Sequence, residues 1–144
     1  MIFLISLKDC FDKGLIKKAE KSTNLAKKSL RQAEFFLEEA SDLVDTKKQI
    51  SLLTLYNSFF HTARALLYND GFKERSHFCI ARYLESEYIN NNKIDSKFLH
   101  AFETVMSLRH TVQYSTDKVE IEEDIVELIN LCEEFIVVVS KLIT

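Results

Sequence analysis

The sequence predicts an all-α protein, an antiparallel up-and-down helical bundle of four long helices plus one short helix, and three observations carry that prediction. The 144 residues contain no proline and only two glycines, so little in the chain interrupts a helix. Apolar residues recur at alternating spacings of three and four along the long segments. No stretch of any length alternates apolar and polar residues as a half-buried strand would. At 47% hydrophobic and 28% charged, the chain has the balance of a soluble domain with one core. We read residues 1–144 as a single helical domain with a short N-terminal lead over 1–16.

Within that lead, Leu7 to Phe11 forms a helical piece that ends near Gly14. The first long helix spans about 17–44, with Ala26, Leu30, Ala33, Leu37, Ala40 and Val44 as its apolar seam. The second spans about 48–69 and stops at Asn69-Asp70-Gly71. Ser76 suits the N-cap of a shorter helix over 77–89, and Asn90 to Lys93 is a polar turn. A further helix runs from Asp95 to about Tyr114. Asp117 can cap the last helix, whose seam reads Ile121, Ile125, Leu128, Cys132, Phe135, Val139, Leu142.

The net charge of −3 conceals an asymmetry. Residues 1–31 carry eight Lys/Arg against three acids, and residues 118–144 carry two lysines against seven acids. A basic first helix could touch RNA or an acidic partner, but a solvated face complemented by the acidic last helix accounts for it equally simply, and we prefer that reading. Cys10, Cys79 and Cys132 are scattered, odd in number and without ligand spacing, so they read as buried or idle thiols in a reducing compartment. The run Met1 to Ile5 is too short for a signal peptide and Phe135 to Val139 too short for a membrane span, which leads us to expect a soluble, cytoplasmic protein.

Isolated glycines cannot build a phosphate loop, and no clustered Cys/His set suits zinc, so neither a metal nor a cofactor is expected. What remains is polar chemistry borne on helices. On the second long helix Leu52, Leu53, Tyr56, Phe59, Phe60, Ala63, Leu66 and Leu67 make a broad apolar face. Thr54, Ser58, Thr62 and Ala65 make a stripe of small residues suited to a close neighbour. Between them lies a narrow polar stripe, Asn57, His61, Arg64 and Tyr68, within about 60° of arc. It marks either a cleft or interface or a hydrogen-bonded structural stripe. On the helix from Asp95, Arg109 sits among Phe98, Phe102, Val105 and Val112. A buried guanidinium demands a carboxylate, carbonyls or a bound anion, and a structural ion pair would satisfy it as well as a ligand. Glu103, Ser107, His110 and Tyr114 form the adjacent stripe.

These residues, in this order, resemble the HEPN domain family (higher eukaryotes and prokaryotes nucleotide-binding), in its small stand-alone prokaryotic and archaeal branch. The resemblance is carried by Tyr56 to Leu67, by Ser76-His77, by Arg109 to Tyr114 and by the lead LKDCFDKGLIKK, and so covers nearly the whole chain. It implies a four- or five-helix bundle that homodimerises, with the arginine-bearing helices near the dimer cleft. It also implies a minimal nucleotidyltransferase protein as partner in a toxin–antitoxin pair. Ribonuclease members carry an R-x4–6-H motif. Arg109-His110 fits its start, but Tyr114 stands where the downstream histidine is expected, and no histidine follows. Tyrosine, with an ordinary pKa of about 10, is a poor base at neutral pH.

Two functions follow from the resemblance. One is a binding module whose cleft, lined by Asn57, His61, Arg64, His77, Arg109 and His110, takes a nucleotide, RNA or the nucleotidyltransferase. The other is a metal-independent endoribonuclease of toxin type, with Arg109 stabilising the phosphorane, His110 or His61 as base and Tyr114 orienting. A structural or assembly role is the third. The first is our expectation.

Overall fold

In a computed structural model, residues 5–143 are described; of the apolar run Met1 to Ile5, only Ile5 falls among them. The elements in order are α1 (Leu7–Asp12), β1 (Ile16–Lys18), α2 (Thr23–Leu43), α3 (Lys48–Asp70), β2 (Phe72–Glu74), α4 (His77–Leu84), a π-helical turn (Glu85–Ile89), α5 (Ser96–Tyr114) and α6 (Ile125–Leu142). The predicted all-α bundle of four long helices plus a shorter one is what the chain forms, with a small two-stranded sheet added.

The small-residue stripe of α3 explains the closest packing in the bundle. Ser29 Oγ donates to the His61 carbonyl, Ser58 Oγ to the Ala33 carbonyl and Ser51 Oγ to the Ala40 carbonyl, each at 2.7 Å. Each pair has one partner higher on α2 and the other correspondingly lower on α3, the signature of antiparallel helices in close register. Short side chains let the backbones approach, and the buried hydroxyls find partners instead of remaining unsatisfied. The apolar face of α3 turns the other way. Phe59 stacks on Phe102 of α5 at 5.8 Å and meets Phe135 of α6 at 6.0 Å, while Phe98 stacks on Phe135 at 5.5 Å. This aromatic centre joins α3, α5 and α6, and each fully buried ring contributes about 2–3 kcal/mol.

Several boundaries depart from the sequence reading. The first long helix begins at Thr23, capped by Ser22, whose side chain accepts from the Leu25 N–H. Residues 16–18 are not helical but pair antiparallel with 72–74. Three residues are too few for alternation to register, and the pairing depends on Gly71, which ends α3 in the left-handed conformation at φ 92°. A Cβ there would meet Lys21 Cγ at 2.9 Å and the Ala19 carbonyl at 3.1 Å. The helix over 77–89 is α-helical only to Leu84 and continues as the π-turn. Asp117 does not cap α6. Asp124 does, accepting from the Glu127 N–H at 3.1 Å, and Ile121 is buried from the preceding loop. That loop is tied down by Lys48 and Gln49, which donate to the Ile121 and Val119 carbonyls.

The cysteines are a further correction. Cys10 of α1 and Cys79 of α4 form a buried disulfide across 69 residues of sequence, so they are not idle thiols. Only Cys132 is free. No helix among the described residues is long and apolar enough to cross a membrane.

Candidate functional site

Ser76 begins the site. Its side chain accepts from the Cys79 N–H, starting α4 so that His77 is the first helical residue, and the Cys79 disulfide fixes the same turn to α1. His77 is exposed at this corner, yet its Nδ1 lies 2.6 Å from the hydroxyl of Tyr56. Tyr56 is itself 1% exposed, held by Phe60 and by Phe102 at 6.2 Å. The Phe60 ring lies 4.1 Å from the imidazole. On the other side, Arg109 of α5 places its guanidinium carbon 4.4 Å above the Tyr56 ring. One tyrosine therefore brings together helices α3, α4 and α5.

The charged groups that act on His77 are Arg109 and Arg64. Among the described residues no carboxylate lies within ion-pairing distance of Arg109, and its contact with Tyr56 is through the ring face. The guanidinium edge, with its fork of N–H donors, has the geometry that suits an oxyanion. Arg64 differs. Its Nε stands 2.7 Å from Glu74 Oε1 on β2, and its carbon lies over the rings of Tyr68 and Phe60 at 5.0 and 5.5 Å. Its charge is matched within the fold. Burial pushes the Tyr56 phenol up to about 12 against the pull of Arg109, so it keeps its proton. Burial first, then Arg109 and Arg64, lowers the pKa of His77. His61, half-buried and stacked on Phe36 at 5.6 Å, is held down at about 4 by burial, with Arg64 and His77 adding to it. Both imidazoles are neutral at pH 7.

The residues singled out in the sequence thus divide. Arg109 and His77 meet at Tyr56, with His61 and Arg64 along the same helix and Asn57 half-buried one residue beyond Tyr56. His110 and Tyr114 lie elsewhere. Their rings are 4.8 Å apart at the exposed C-terminal end of α5, and Tyr114 is 65% exposed. Successive residues on a helix diverge by about 100°, so Arg109 faces Tyr56 while His110 faces away. The stripe they share begins with Glu103, which pairs with Arg82 of α4 at 2.7 Å. Tyr56 is the residue that the sequence reading assigned to the core alone. The signal was its hydroxyl, since a buried phenol requires a partner at the surface end of its ring.

A cleft of about 470 Å³ between α5 and α6, lined by Lys97, Glu133 and Glu134 among others, lies away from this corner and mixes both charge signs. Among the described residues no three His, Cys, Asp or Glu side chains converge as a metal ligand set would require. A family model described as HEPN domain matches residues 26–142. Comparisons with curated proteins and with solved structures give no match.

Proposed function

The chain belongs to the HEPN domain family, and from that premise we propose that it binds RNA by taking a backbone phosphate on Arg109 at the Tyr56–His77 corner. The family supports a nucleotide- or RNA-binding or ribonuclease-like module. One observation carries the choice of residue: Arg109 packs against Tyr56 by its face and has no carboxylate partner among the described residues. A guanidinium so placed offers bidentate hydrogen bonds to phosphate without first breaking an ion pair. His77 adds a hydrogen-bonding edge beside it, and the half-buried His61 and Phe36 rings add surface on which a base can stack.

In this reading the protein works as a homodimer and as one half of a two-component pair with a minimal nucleotidyltransferase. The family resemblance supports both.

The test is fluorescence anisotropy with labelled single-stranded RNA, competed by mononucleotides, on the native chain and Arg109→Ala. The expected result is salt-sensitive RNA binding that weakens about tenfold or more in the variant. Equal binding by both proteins would remove Arg109 from the site. Displacement by mononucleotides at low concentration would make a nucleotide the ligand instead.

A further inference from the structure

We propose that the Cys10–Cys79 bridge is a redox latch: closed, it holds the first turn of α4 and its His77 in place, and opened by a dithiol it releases that turn and weakens RNA binding. The proposal rests on the RNA reading above and adds its regulation. The bridge joins α1, a helix of only six residues, to the residue two positions after His77. Both cysteines are 0% exposed. Cys132, the remaining cysteine, is buried on α6 against Ser58, so the pair has two states, bridged or dithiol.

The helix α4 is fastened unequally at its two ends. Late in it, Arg82 pairs with Glu103 of α5 and the Tyr83 hydroxyl donates to Asp70 of α3, each at 2.7 Å. At its start, the Ser76 cap is a long 3.4 Å bond from the Cys79 N–H, near the outer limit for a hydrogen bond. That turn is otherwise held by the bridge and by the His77 ring, which meets the Tyr56 hydroxyl at 2.6 Å and Phe60 at 4.1 Å. Opening the bridge removes the covalent tie from the end that carries His77 and leaves the other end anchored. The helix α1 depends on the same bond, since six residues are too few for a stable helix in isolation. Its Phe11 is 37% exposed and meets Phe72 edge-on at 5.5 Å, and Gly14, at φ 69°, joins it to β1. The aromatic centre of Phe59, Phe98, Phe102 and Phe135 takes no residue from α1 or α4, so the opening is local.

The exchange balances with a dithiol as reductant. Neither sulfur is exposed, so α1 lifts first. A reductant thiolate attacks one bridge sulfur, the S–S bond breaks, and the departing cysteine thiolate takes a proton. The second reductant thiolate then displaces the other cysteine from the mixed disulfide. The products are two cysteine thiols and the reductant's own disulfide. Two electrons and two protons have passed to the protein, and a disulfide oxidant reverses the step.

The experiment titrates labelled single-stranded RNA with the native chain, once oxidised in air and once reduced with dithiothreitol. Cys10→Ser and His77→Ala are measured in both conditions. Thiol counting on denatured samples checks the redox state, far-ultraviolet circular dichroism checks folding, and amide exchange is followed over residues 77–80. The oxidised chain is expected to bind RNA about fivefold or more tightly than the reduced one, and reoxidation to restore the affinity. Cys10→Ser matches the reduced chain in both conditions, and His77→Ala binds equally in both, because the latch acts through that ring. On reduction, exchange quickens at 77–80 while α5 and α6 keep their protection. Equal affinity of the folded oxidised and reduced chains overturns the proposal. So does loss of the helical signal on reduction, which makes the bridge a staple of the whole fold, and so do three free thiols in the air-oxidised chain. A redox effect that persists in His77→Ala also overturns it. Failure of the oxidised chain to bind RNA overturns the functional reading itself.

Discussion

Glu74 of β2 stands 2.7 Å from Nε of Arg64 on α3, so the short sheet delivers a carboxylate to the one guanidinium of the polar stripe. Glu74 is nearly buried, its side chain 9% exposed. Removing its charge leaves Arg64 partly buried and unpaired, which costs about 2 kcal/mol. Glu74→Gln is therefore expected to lower the urea midpoint. The same change frees a second cation near His77, so RNA affinity should rise while stability falls. A variant that loses both would mean that β2 itself shapes the site.

Arg109 is expected to behave in the opposite way. Its contact with the Tyr56 ring contributes about 1 kcal/mol, far less than a buried ion pair would. Arg109→Ala should unfold within about 1 kcal/mol of native in urea while losing phosphate binding. A loss of about 3 kcal/mol or more would mean that Arg109 is a structural residue.

How much of this was legible follows from particular residues. The four long helices announced themselves because their apolar spacing is set by the helix period, and Ser76, Asp95 and Gly71 mark ends that the structure keeps. Ile16 to Lys18 was not legible, because its pairing with Phe72 to Glu74 depends on a turn geometry created by a distant helix end. Asp117 read as the cap of the last helix, and the anchoring of residues 119–121 by Lys48 and Gln49, with the helix starting after Asp124, overturns that reading. Arg109 stood out as a cation on an apolar face. Its meeting with His77 was hidden, because they lie 32 residues apart and the link, Tyr56, is on a third helix.

The histidines set a pH dependence. His61 is held at about 4 against an ordinary 6.5, chiefly by burial, and His77 is shifted the same way. Between those values the unfolded chain binds a proton that the folded one refuses. The stabilisation is complete above pH 6.5 and declines as the pH falls toward 4. Screening at these half-exposed rings limits it to about 1–2 kcal/mol. Urea unfolding from pH 7.5 to 5 should show stability decreasing with acidity, and His61→Gln should flatten the slope. An unchanged slope in that variant would place the titration elsewhere.

Asp70 ends α3 at the negative end of the helix dipole, an unfavourable place for a carboxylate unless it is compensated. Tyr83 and Tyr88 compensate it, donating to the same Oδ2 at 2.7 and 2.6 Å. Burial, and then the bond to Asp70, pushes both phenols up, so they remain donors at any physiological pH. Tyr83→Phe and Tyr88→Phe should each cost about 1–2 kcal/mol. The double variant should cost less than their sum, since one oxygen anchors both. Strict additivity in denaturation would show that the two bonds act independently.

The disulfide between Cys10 and Cys79 gives the last test. It closes a loop of 69 residues and ties α1 to the turn that carries His77. Closing such a loop restricts the unfolded chain by about 4 kcal/mol in the entropic account. Cys132 cannot substitute, because it is buried on α6, bonded to Ser58 Oγ at 3.2 Å, with its thiol pushed up to about 12 by burial. Protein purified in air should therefore show one free thiol when denatured, and Cys132→Ser none. Reduction or Cys10→Ser should lower stability by about 4 kcal/mol and should loosen the start of α4, seen as faster amide exchange around Cys79. Three free thiols in the denatured native chain would mean that the bridge does not form, and α4 would then be held by Ser76 and the Tyr56–His77 contact alone.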